Sequence, residues 1–577
     1  MTRQRRPTRS LSIALVGKGG SGVITAGDIL LAAAAKAGYY GIMTRAVGPQ
    51  IRGGEAAALL RIGCEPLACL NDHFDILLGL DWLHAERFRD ELPLEEDSLV
   101  ISDTSDEEIP AELLAQGAAL TSVNLSEIAE GIDGGRANMV ALGLLASIAG
   151  IPADSVAAAI EDQLGEKGIG AIAASRACAE QGFALGTDIP FDVALEPAES
   201  GTRWRISGNQ AAGLGALRGG VRFAAAYPIT PATELLEWLA PRLHEAGGTL
   251  VQAEDELASI NMAIGASYGG IPSLTATSGP GFSLMIEGIG LAVAAEVPVV
   301  VVNVMRGGPS TGIPTKSEQA DLNAAVYGLH GDAPHLVLAA NSVTDCAFTT
   351  QWAVHLAEAT QSPAIVLTDQ FLGQATMVAD PIADLAFIAG RKLAENPSQG
   401  EYRRYAITAD GISPVTLPGT AGGQYTADGL EHSARALPSS AAADHLAQST
   451  KRAAKLTHFN YGAHWADIEG DSNLAVITWG STTCAVREAL TRLRAEGIEL
   501  KLIAPRLLLP AQPERFTHAI ADVDRIIVIE QNHGGQLYQL LRANYELPRD
   551  VQTFHRSGPV PLRPGEIAAR LRSWREA

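Results

Sequence analysis

The chain has 577 residues and a formal net charge of −22, from 43 basic and 65 acidic side chains. Hydrophobic residues make up 47% and charged residues 19%, which is typical of a folded globular protein. Its length predicts three to four domains, because one hydrophobic core stops growing at about 250–300 residues. Nucleic acids and anionic membranes both favour a basic surface, so the acidic charge argues against either as the main partner. No apolar run reaches the ~18 residues that a membrane span requires.

The N-terminus and the cysteines both bear on where the protein works. Residues 1–10 are predicted to be a solvated basic tail, because a strand-like run follows directly, without the apolar stretch of a secretion signal. The five cysteines are scattered and none stands in a Cys-x-x-Cys pair, which argues against a disulfide framework or a four-cysteine metal site. We therefore expect a cytoplasmic protein with no metal site of its own.

Strand-like and helix-like patterns alternate in three regions, which predicts an α/β fold. The first region, residues 11–190, opens with a strand at 13–16 and a helix at 24–37. Residues 191–207 have no clear period and are predicted to be a linker.

The second region, residues 208–395, contains short continuous apolar strands between helices. Such strands are typical of a mainly parallel sheet that is buried on both faces. Residues 396–473 are poorer in apolar side chains and are predicted to be a partly irregular connection that covers a site. Residues 474–577 resume the alternation. The strands expected in the second and third regions are 223–226, 274–277, 299–304, 364–367, 475–478, 500–503 and 526–529.

A glycine-rich loop follows the first predicted strand. It consists of Gly17, Lys18, Gly19, Gly20, Ser21 and Gly22. Bare amides at a helix N-terminus, together with a lysine, can bind phosphate. A dinucleotide fingerprint would need an acidic residue about twenty positions later, and residues 37–47 contain none. A tight structural turn and a site for another phosphate ligand, such as coenzyme A, both remain open, and Arg45 and Arg52 could add positive charge.

Two loops rich in proline, glycine and hydroxyl residues follow predicted strands of the second region. The first runs from Tyr227 through Pro228, Ile229 and Thr230 to Pro231, and the second covers residues 306–315. Ligands collect at the carboxyl ends of strands in open α/β sheets, so these loops predict two walls of one site. The second loop offers the Arg306 guanidinium, which suits a carboxylate, and the hydroxyls of Ser310, Thr311 and Thr315.

Between these loops lie three consecutive acidic residues and a strand-to-helix turn. Glu254, Asp255 and Glu256 precede an apolar helix, where acidic side chains are favoured by the helix dipole alone. The turn runs from Thr277 through Ser278 and Gly279 to Gly281.

Taken together, these motifs resemble the α subunit of 2-oxoacid:acceptor (ferredoxin) oxidoreductases, with the first region similar to their γ subunit and fused ahead of it. The resemblance covers nearly all of residues 11–571. It implies a Rossmann-like γ domain, an α/β domain that binds the pyrimidine of thiamine diphosphate, and a C-terminal domain like that of transketolase. The Glu530-to-Leu537 segment resembles a signature of that last domain, with a structural or subunit-contact role.

The resemblance also implies roles for individual residues. In transketolase-like pyrimidine domains, the glutamate that contacts the aminopyrimidine stands nine residues before a helical Gly-Ala, which here is Glu256 before Gly265. Catalysis is assigned to Glu256, Thr230 and Arg306, and 2-oxoacid binding to Thr230, Arg306, Thr311 and Thr315. Thiamine contacts are assigned to Tyr227, Pro228, Ile229, Glu256, Ser278 and Gly279. Coenzyme A contacts are assigned to Gly17, Lys18, Gly19, Ser21, Gly22 and Arg52.

Two motifs of complete thiamine enzymes are missing from the sequence. It has no Gly-Asp-Gly followed by a distant asparagine, and no iron–sulfur cysteine cluster. By resemblance, a β subunit would supply the diphosphate site, Mg²⁺ and a [4Fe–4S] cluster, in an (αβ)2 assembly that reduces ferredoxin.

The predicted reaction is the oxidative decarboxylation of a 2-oxoacid with coenzyme A to acyl-CoA, or its reverse. Ile229 favours the 2-oxoglutarate type, because indolepyruvate enzymes more often carry glycine there. Pyruvate and branched-chain acids remain alternatives, as do a non-catalytic nucleotide- or CoA-binding protein and a self-sufficient thiamine enzyme, against which the missing Gly-Asp-Gly argues.

Overall fold

The structure is a computed structural model that describes residues 6–48, 54–104, 108–114, 118–313 and 316–576. Contacts divide it into two compact units. The first comprises Met1–Ser207, Gln374–Ile382 and Leu562–Ala569, and the second comprises Gly208–Gly373, Ala383–Pro561 and Arg570–Ala577. The residue limits of the three domains predicted above stay predictions.

The strands follow the alternating pattern seen in the sequence. In chain order the described strands are β1 Arg6–Thr8, β2 Ser10–Lys18, β3 Tyr40–Val47, β4 Glu55–Gly63, β5 Ile76–Gly79, β6 Leu99–Asp103, β7 Ala119–Val123, β8 Val193–Leu195, β9 Trp204–Ser207, β10 Phe223–Ala226, β11 Thr249–Gln252, β12 Ser273–Thr277, β13 Val299–Met305, β14 Leu336–Ala339, β15 Pro363–Asp369, β16 Thr376–Ala379, β17 Ala466–Glu469, β18 Leu474–Thr478, β19 Lys501–Pro505, β20 Leu507–Leu509, β21 Arg525–Glu530 and β22 Asp550–His555.

Helices connect most of these strands. The described α-helices are α1 Val23–Lys36, α2 Leu125–Glu130, α3 Ala137–Ala149, α4 Ala153–Leu164, α5 Ile169–Gly186, α6 Gly208–Gly219, α7 Thr233–Glu245, α8 Glu256–Tyr268, α9 Gly279–Ala295, α10 Leu322–Tyr327, α11 Asp345–Thr360, α12 Gln370–Gln374, α13 Ala442–Thr457, α14 Thr482–Ala495, α15 Pro513–Ala519, α16 Gln536–Asn544 and α17 Pro564–Glu576. The predicted α/β class is confirmed. None of the described helices is both long enough and apolar enough to cross a bilayer.

The first unit is built on a mixed eight-stranded sheet in the order β7-β6-β5-β2-β4-β3-β16-β9. Strands β2, β5, β6 and β7 are parallel, as in a Rossmann-like half-sheet, and the remaining strands extend it in antiparallel pairs. Helices α3 and α5 pack very closely, because a Cβ on Gly182 would clash with the carbonyl of Val140. This unit therefore has a continuous apolar core around α1, α3 and the sheet.

The N-terminal prediction differs from the structure. Arg6–Thr8, inside the predicted tail, forms β1 and pairs in parallel with β8, inside the predicted linker. Both strands have three residues. Such short strands are too brief to show an alternating pattern in the sequence, which is why neither was predicted.

The second unit contains the predicted parallel sheet. Its strand order is β11-β10-β12-β13-β15-β14-β20, and β20 alone among these is antiparallel to its neighbour. Every residue of β13 is buried, as expected for a central parallel strand. A second sheet, β17-β19-β18-β21-β22, is formed by the last region of the chain together with β17, which lies at the end of the predicted connecting segment.

The connecting segment is held to α9 by a buried charge cluster. Glu296, at the C-terminal end of α9, accepts from Lys451 at 2.6 Å and from Lys455 at 3.0 Å. Arg404 donates to the Glu296 carbonyl at 3.0 Å. Burial alone would raise the pKa of Glu296, but Lys455, Lys451 and Arg404 lower it to about 2. This partly irregular segment is thus anchored through paired buried charges, which are costly to separate.

The loop that follows β13 is held by the segment predicted as a C-terminal signature. The Gln319 side chain is fully buried; it donates to the Trp479 carbonyl at 2.7 Å and accepts from the Gln531 amide at 2.7 Å and the Thr482 hydroxyl at 2.8 Å. The Gln319 main chain also pairs with Gln531, at 2.9 Å. We call these contacts the Gln319 clamp.

Glu530 organises the other side of this clamp. Its carboxylate accepts from the amides of Leu537 and Tyr538 at the start of α16, at 2.8 and 3.1 Å. It also accepts from the Asn532 side chain at 2.6 Å, while burial raises its pKa. Asn532 in turn donates to the Gln319 carbonyl at 3.2 Å. Within this chain, the signature is therefore structural and acts on the loop after β13.

Replacing Gln319 with leucine tests the clamp. The variant keeps the volume but leaves the Trp479 carbonyl and the Gln531 amide buried without partners, each costing about 1–3 kcal/mol. We expect the second unit to lose at least about 2 kcal/mol of stability, seen as a lower calorimetric melting midpoint. The matched control is Gln424→Leu, at an exposed position. Equal midpoints for the two variants would show that the clamp is not stabilising.

Candidate active site

The predicted loops converge at one edge of the seven-stranded sheet. Strands β11, β10, β12 and β13 are consecutive neighbours, and the segments after their carboxyl ends carry most of the predicted site residues. Those segments begin α8 after β11, form the Tyr227-to-Pro231 loop after β10, begin α9 after β12, and form the Arg306 loop after β13. This is the edge at which open α/β sheets bind ligands.

Arg306 and Thr230 are brought together across this edge. The Arg306 Nη1 donates to the Thr230 carbonyl oxygen at 2.8 Å. Its Nε is buried and has no hydrogen-bond partner among the described residues. The Thr230 residue is itself exposed. The guanidinium is thus held at one end by the Thr230 carbonyl.

The Arg306 loop is closed at its base and exposed at its tip. The Gly307 amide donates to the Lys316 carbonyl at 2.8 Å. Thr311 is exposed, whereas Thr315 lies outside the described residues, so the structure gives no position for it. Of the two threonines predicted for this loop, Thr311 can therefore be placed and Thr315 cannot.

The three acidic residues before α8 occupy different environments. Asp255 caps the helix, because its side chain accepts from the Ala258 amide at 2.7 Å. Glu254 and Asp255 are exposed, whereas Glu256 is only 7% exposed. The Glu256 carboxylate accepts no hydrogen bond from any described residue. The helix-cap explanation considered above therefore applies to Asp255, and Glu256 is left as the buried acid with unused oxygens.

Glu256 lies against the first turn of α9. A Cβ on Gly281 would clash with Glu256 Oε1 and Thr277 Oγ1, so only glycine lets the carboxylate come this close. Ser278 is the N-cap residue of α9, yet its fully buried hydroxyl neither caps the helix nor bonds to another described residue. The structure thus brings Glu256, Ser278 and Gly279 together. The carboxylate and the Ser278 hydroxyl are polar groups that a bound ligand could satisfy.

The aromatic and apolar residues of the Tyr227-to-Pro231 loop complete this edge. Tyr227 is 40% exposed, and Pro228 and Ile229 are half-buried. The end of the loop is fixed by Asn209, whose side-chain amide donates to the Pro231 carbonyl at 2.9 Å.

Two polar residues of this site were not predicted from the sequence. Asn303 is fully buried in β13, and its Oδ1 has no partner among the described residues. It donates through Nδ2 to Asp321 Oδ2 at 3.0 Å. Burial raises the pKa of Asp321, while Asn303 and Arg306 lower it less. Asn303 does leave a signal in the sequence, because it is the single polar residue in the apolar run 299–305.

The glycine loop of the first unit borders a separate cavity of about 840 Å³. Asn138, at the start of α3, donates to the Gly22 carbonyl at 3.0 Å, and a Cβ on Gly22 would clash with it. Ser21 donates to the Lys18 carbonyl at 2.6 Å. The glycines are therefore required by a tight turn, and this turn also forms one wall of a large cavity.

The cavity wall carries several charged groups. Lys18 pairs with Asp81 at 2.8 Å and stays largely exposed. The other charged residues of the wall are Asp133, Arg136 and Lys167. No acidic residue stands in the first turn of α1, which leaves the positive end of the helix dipole uncompensated there. Arg136 and Lys167 were not among the predicted residues. Arg52, which was predicted, lies outside the described residues.

Comparisons with known proteins match both units. The family described as pyruvate flavodoxin/ferredoxin oxidoreductase, thiamine diP-binding, matches residues 214–452. The family described as pyruvate ferredoxin/flavodoxin oxidoreductase matches residues 12–185.

Individual relatives agree. The α subunit of a 2-oxoacid:ferredoxin oxidoreductase from Saccharolobus solfataricus is 38% identical over 59% of this chain, and the match spans 56% of that relative's length. The 2-oxoglutarate synthase subunit KorA from Methanothermobacter marburgensis is 34% identical over 63% of this chain and 97% of its own length.

A solved structure matches along almost the whole chain. It is the 2-oxoglutarate:ferredoxin oxidoreductase from Magnetococcus marinus with 2-oxoglutarate, coenzyme A and succinyl-CoA bound. It is 36% identical, with a TM-score of 0.90, over 98% of this chain and 99% of that one. The chain belongs to the 2-oxoacid:ferredoxin oxidoreductase family.

Proposed function

We propose that this chain is the γ-fused α subunit of a 2-oxoacid:ferredoxin oxidoreductase that acts on 2-oxoglutarate. The reaction converts a 2-oxoacid and coenzyme A into acyl-CoA and carbon dioxide, with one proton and two electrons released, and the electrons pass to ferredoxin. The observation that carries the proposal is the convergence of Glu256, Ser278, Thr230 and Arg306 at one edge of a parallel sheet. The printed names of the relatives support the choice of 2-oxoglutarate.

The residues present fit the aminopyrimidine half of thiamine diphosphate. Glu256 offers a buried carboxylate with unused oxygens, and the orphaned Ser278 hydroxyl offers a further polar contact. Glu256 would hold a proton at the pyrimidine nitrogen, while Tyr227, Pro228, Ile229 and Gly279 would enclose the ring. When bound, the cofactor supplies the carbon that attacks the 2-oxoacid carbonyl and takes up the electrons left by decarboxylation.

Arg306 would bind the carboxylate of the 2-oxoacid. Because its Nη1 is already bonded to the Thr230 carbonyl, the guanidinium is oriented before the substrate arrives, which lowers the entropic cost of binding. Thr230, Thr311 and Thr315 would contribute hydroxyls from the two loops.

The cavity beside the glycine loop would bind coenzyme A. Its volume of about 840 Å³ falls in the range of cofactor sites. Gly17, Lys18, Gly19, Ser21 and Gly22 would meet the phosphates at the start of α1. Arg136 and Lys167 would supply further positive charge to the same ligand.

A β subunit would complete the enzyme. It would supply the diphosphate site with Mg²⁺ and a [4Fe–4S] cluster that passes electrons to ferredoxin, in an (αβ)2 assembly. The sequence supports this division, because it has neither a Gly-Asp-Gly motif nor clustered cysteines.

Viologen reduction by the co-purified complex tests the function as a whole. With coenzyme A present, we expect 2-oxoglutarate to be oxidised with a kcat/KM well above that of pyruvate or branched-chain 2-oxoacids. The chain alone is expected to be inactive. Equal or greater kcat/KM with pyruvate would contradict the substrate choice, and inactivity of the cofactor-loaded complex with every 2-oxoacid would contradict the proposed reaction.

Replacing Glu256 with glutamine tests its role. The amide cannot hold a proton at the pyrimidine nitrogen, so we expect kcat to fall by about 10²–10⁴-fold with an unchanged melting midpoint. The matched control is Glu254→Gln, which alters an exposed carboxylate two residues away and should leave kcat within about twofold. Loss of activity in the control rather than in Glu256→Gln would move the role to Glu254.

Replacing Lys18 with alanine tests the coenzyme A site. Losing one charge-assisted phosphate contact is expected to raise the apparent KM for coenzyme A about tenfold, with the KM for the 2-oxoacid unchanged. Lys36→Ala is the control, because Lys36 lies at the other end of α1 and also pairs with an aspartate. An unchanged coenzyme A dependence in Lys18→Ala would remove the loop from the site.

A further inference from the structure

Asp321 occupies a position that its helix does not explain. It is the N-cap residue of α10, where an aspartate normally accepts hydrogen bonds from the first-turn amides. Its side chain makes no such bond. Instead, the carboxylate turns toward β13 and accepts from the Asn303 Nδ2 at 3.0 Å. The Asp321 side chain therefore points to the site edge and does not cap its helix.

The Asp321 carboxyl lies close to the first residue of α9 and to a few charged groups. A Cβ on Gly279 would lie 2.9 Å from Asp321 Oδ2, so the carboxyl packs against the first residue of α9. The charged groups that act on it are Arg306, which follows β13, and Glu318, on the segment leading to α10. His533, on the loop before α16, acts in turn on Glu318. The position of the Asp321 main chain is also restrained, because the Gln319 clamp fixes the chain two residues earlier.

The charges at this edge must be balanced when an anion enters. Arg306 supplies one positive charge, and Asp321 and a substrate carboxylate would both compete for it. Two carboxylates near one half-buried guanidinium repel each other, which favours protonation of one of them. Burial already raises the pKa of Asp321, whereas Asn303 and Arg306 lower it less. The geometry agrees, because Asp321 is half-buried, makes no cap bond to its helix and accepts from the neutral amide of Asn303. The carboxyl that can give up its charge is therefore Asp321.

We propose that Asp321 is a positioning residue that exchanges its negative charge for that of the substrate: it takes up one proton from solvent as a 2-oxoacid carboxylate binds to Arg306. The one covalent bond that forms is the O–H bond on Asp321, and the one that breaks is the O–H bond of the solvent hydronium ion that gives up the proton. The net charge at the site edge is unchanged. The inference rests on the proposed role of Arg306. It adds a pH dependence of substrate binding, which membership of the family does not by itself imply.

The test is the pH dependence of kcat/KM for the 2-oxoacid, measured on the complex with the partner subunit by viologen reduction. In the wild-type protein, kcat/KM should fall as pH rises above the pKa of free Asp321, approaching about tenfold per pH unit, because binding then requires an added proton. In Asp321→Asn the side chain is always neutral. This fall should disappear, and KM at high pH should drop to the low-pH value of the wild type.

Three further variants identify the group that titrates. Asn303→Ala removes the hydrogen bond that lowers the pKa of Asp321, so the fall should move to higher pH. Glu318→Gln should shift the fall only slightly, whereas Asp332→Asn, at an exposed position, should leave it unchanged. Melting midpoints show whether each variant folds. The Asp321→Asn amide can donate to the orphaned Asn303 Oδ1, which favours a folded protein.

The possible failures are distinguishable. If the wild-type complex oxidises no 2-oxoacid, the proposed function is wrong. If it is active but Asp321→Asn keeps the wild-type pH profile, the charge exchange is wrong and the function stands. Loss of the pH dependence in Glu318→Gln instead would assign the proton to Glu318 and overturn the inference.

Discussion

The buried amide of Gln319 is the constraint on which the site depends most. One side chain satisfies a carbonyl and a hydroxyl from the connection between β18 and α14, and a backbone amide from the loop after β21. Because each of these groups would be costly to bury alone, the loops and the Gln319 segment must form together. Arg306 lies on one side of that segment and Asp321 on the other. The hydrogen bonds of Gln319 therefore help to fix the positions of both Arg306 and Asp321.

This arrangement explains how a site built on loops can be rigid. Loops are usually the least stable parts of a domain, since they bury little apolar surface. Here the base of the Arg306 loop is closed by a backbone hydrogen bond, and the chain beyond it is bound to the C-terminal sheet region. Only the tip of the loop, which carries Thr311, is exposed. The Arg306 guanidinium is therefore fixed, although it lies beside an exposed loop tip.

The elements of the fold could be predicted wherever apolar runs were continuous. The strands at 223–226 and 299–304 were predicted to within one residue, because buried parallel strands have a clear pattern. The convergence of the loops after β10 and β13 could also be predicted, from the rule that strand ends share an edge. The roles assigned to Glu256, Thr230 and Arg306 stay predictions, although burial does separate Glu256 from its two acidic neighbours.

Polar contacts across long sequence distances could not be predicted. Gln319 meets partners that are 160 and 212 residues away, and nothing in its local sequence marks it as buried. Asn138 binds the glycine loop from 116 residues away in the sequence. Arg136, two residues before it, lines the same cavity. A single sequence shows periodicity along the chain, whereas these contacts depend on which helix packs beside which loop.

The charge cluster around Glu296 gives α9 a fixed point at each end. Its first turn touches Glu256 and Asp321, and its last residues are bound by Lys451, Lys455 and Arg404 from the connecting segment. Positive groups at the C-terminal end complement the helix dipole, whose positive end faces the site. Shortening the connecting segment would therefore not be equivalent to trimming a surface loop. An engineered chain lacking residues 400–457 would expose an unpaired carboxylate and free the far end of the helix on which the site is assembled.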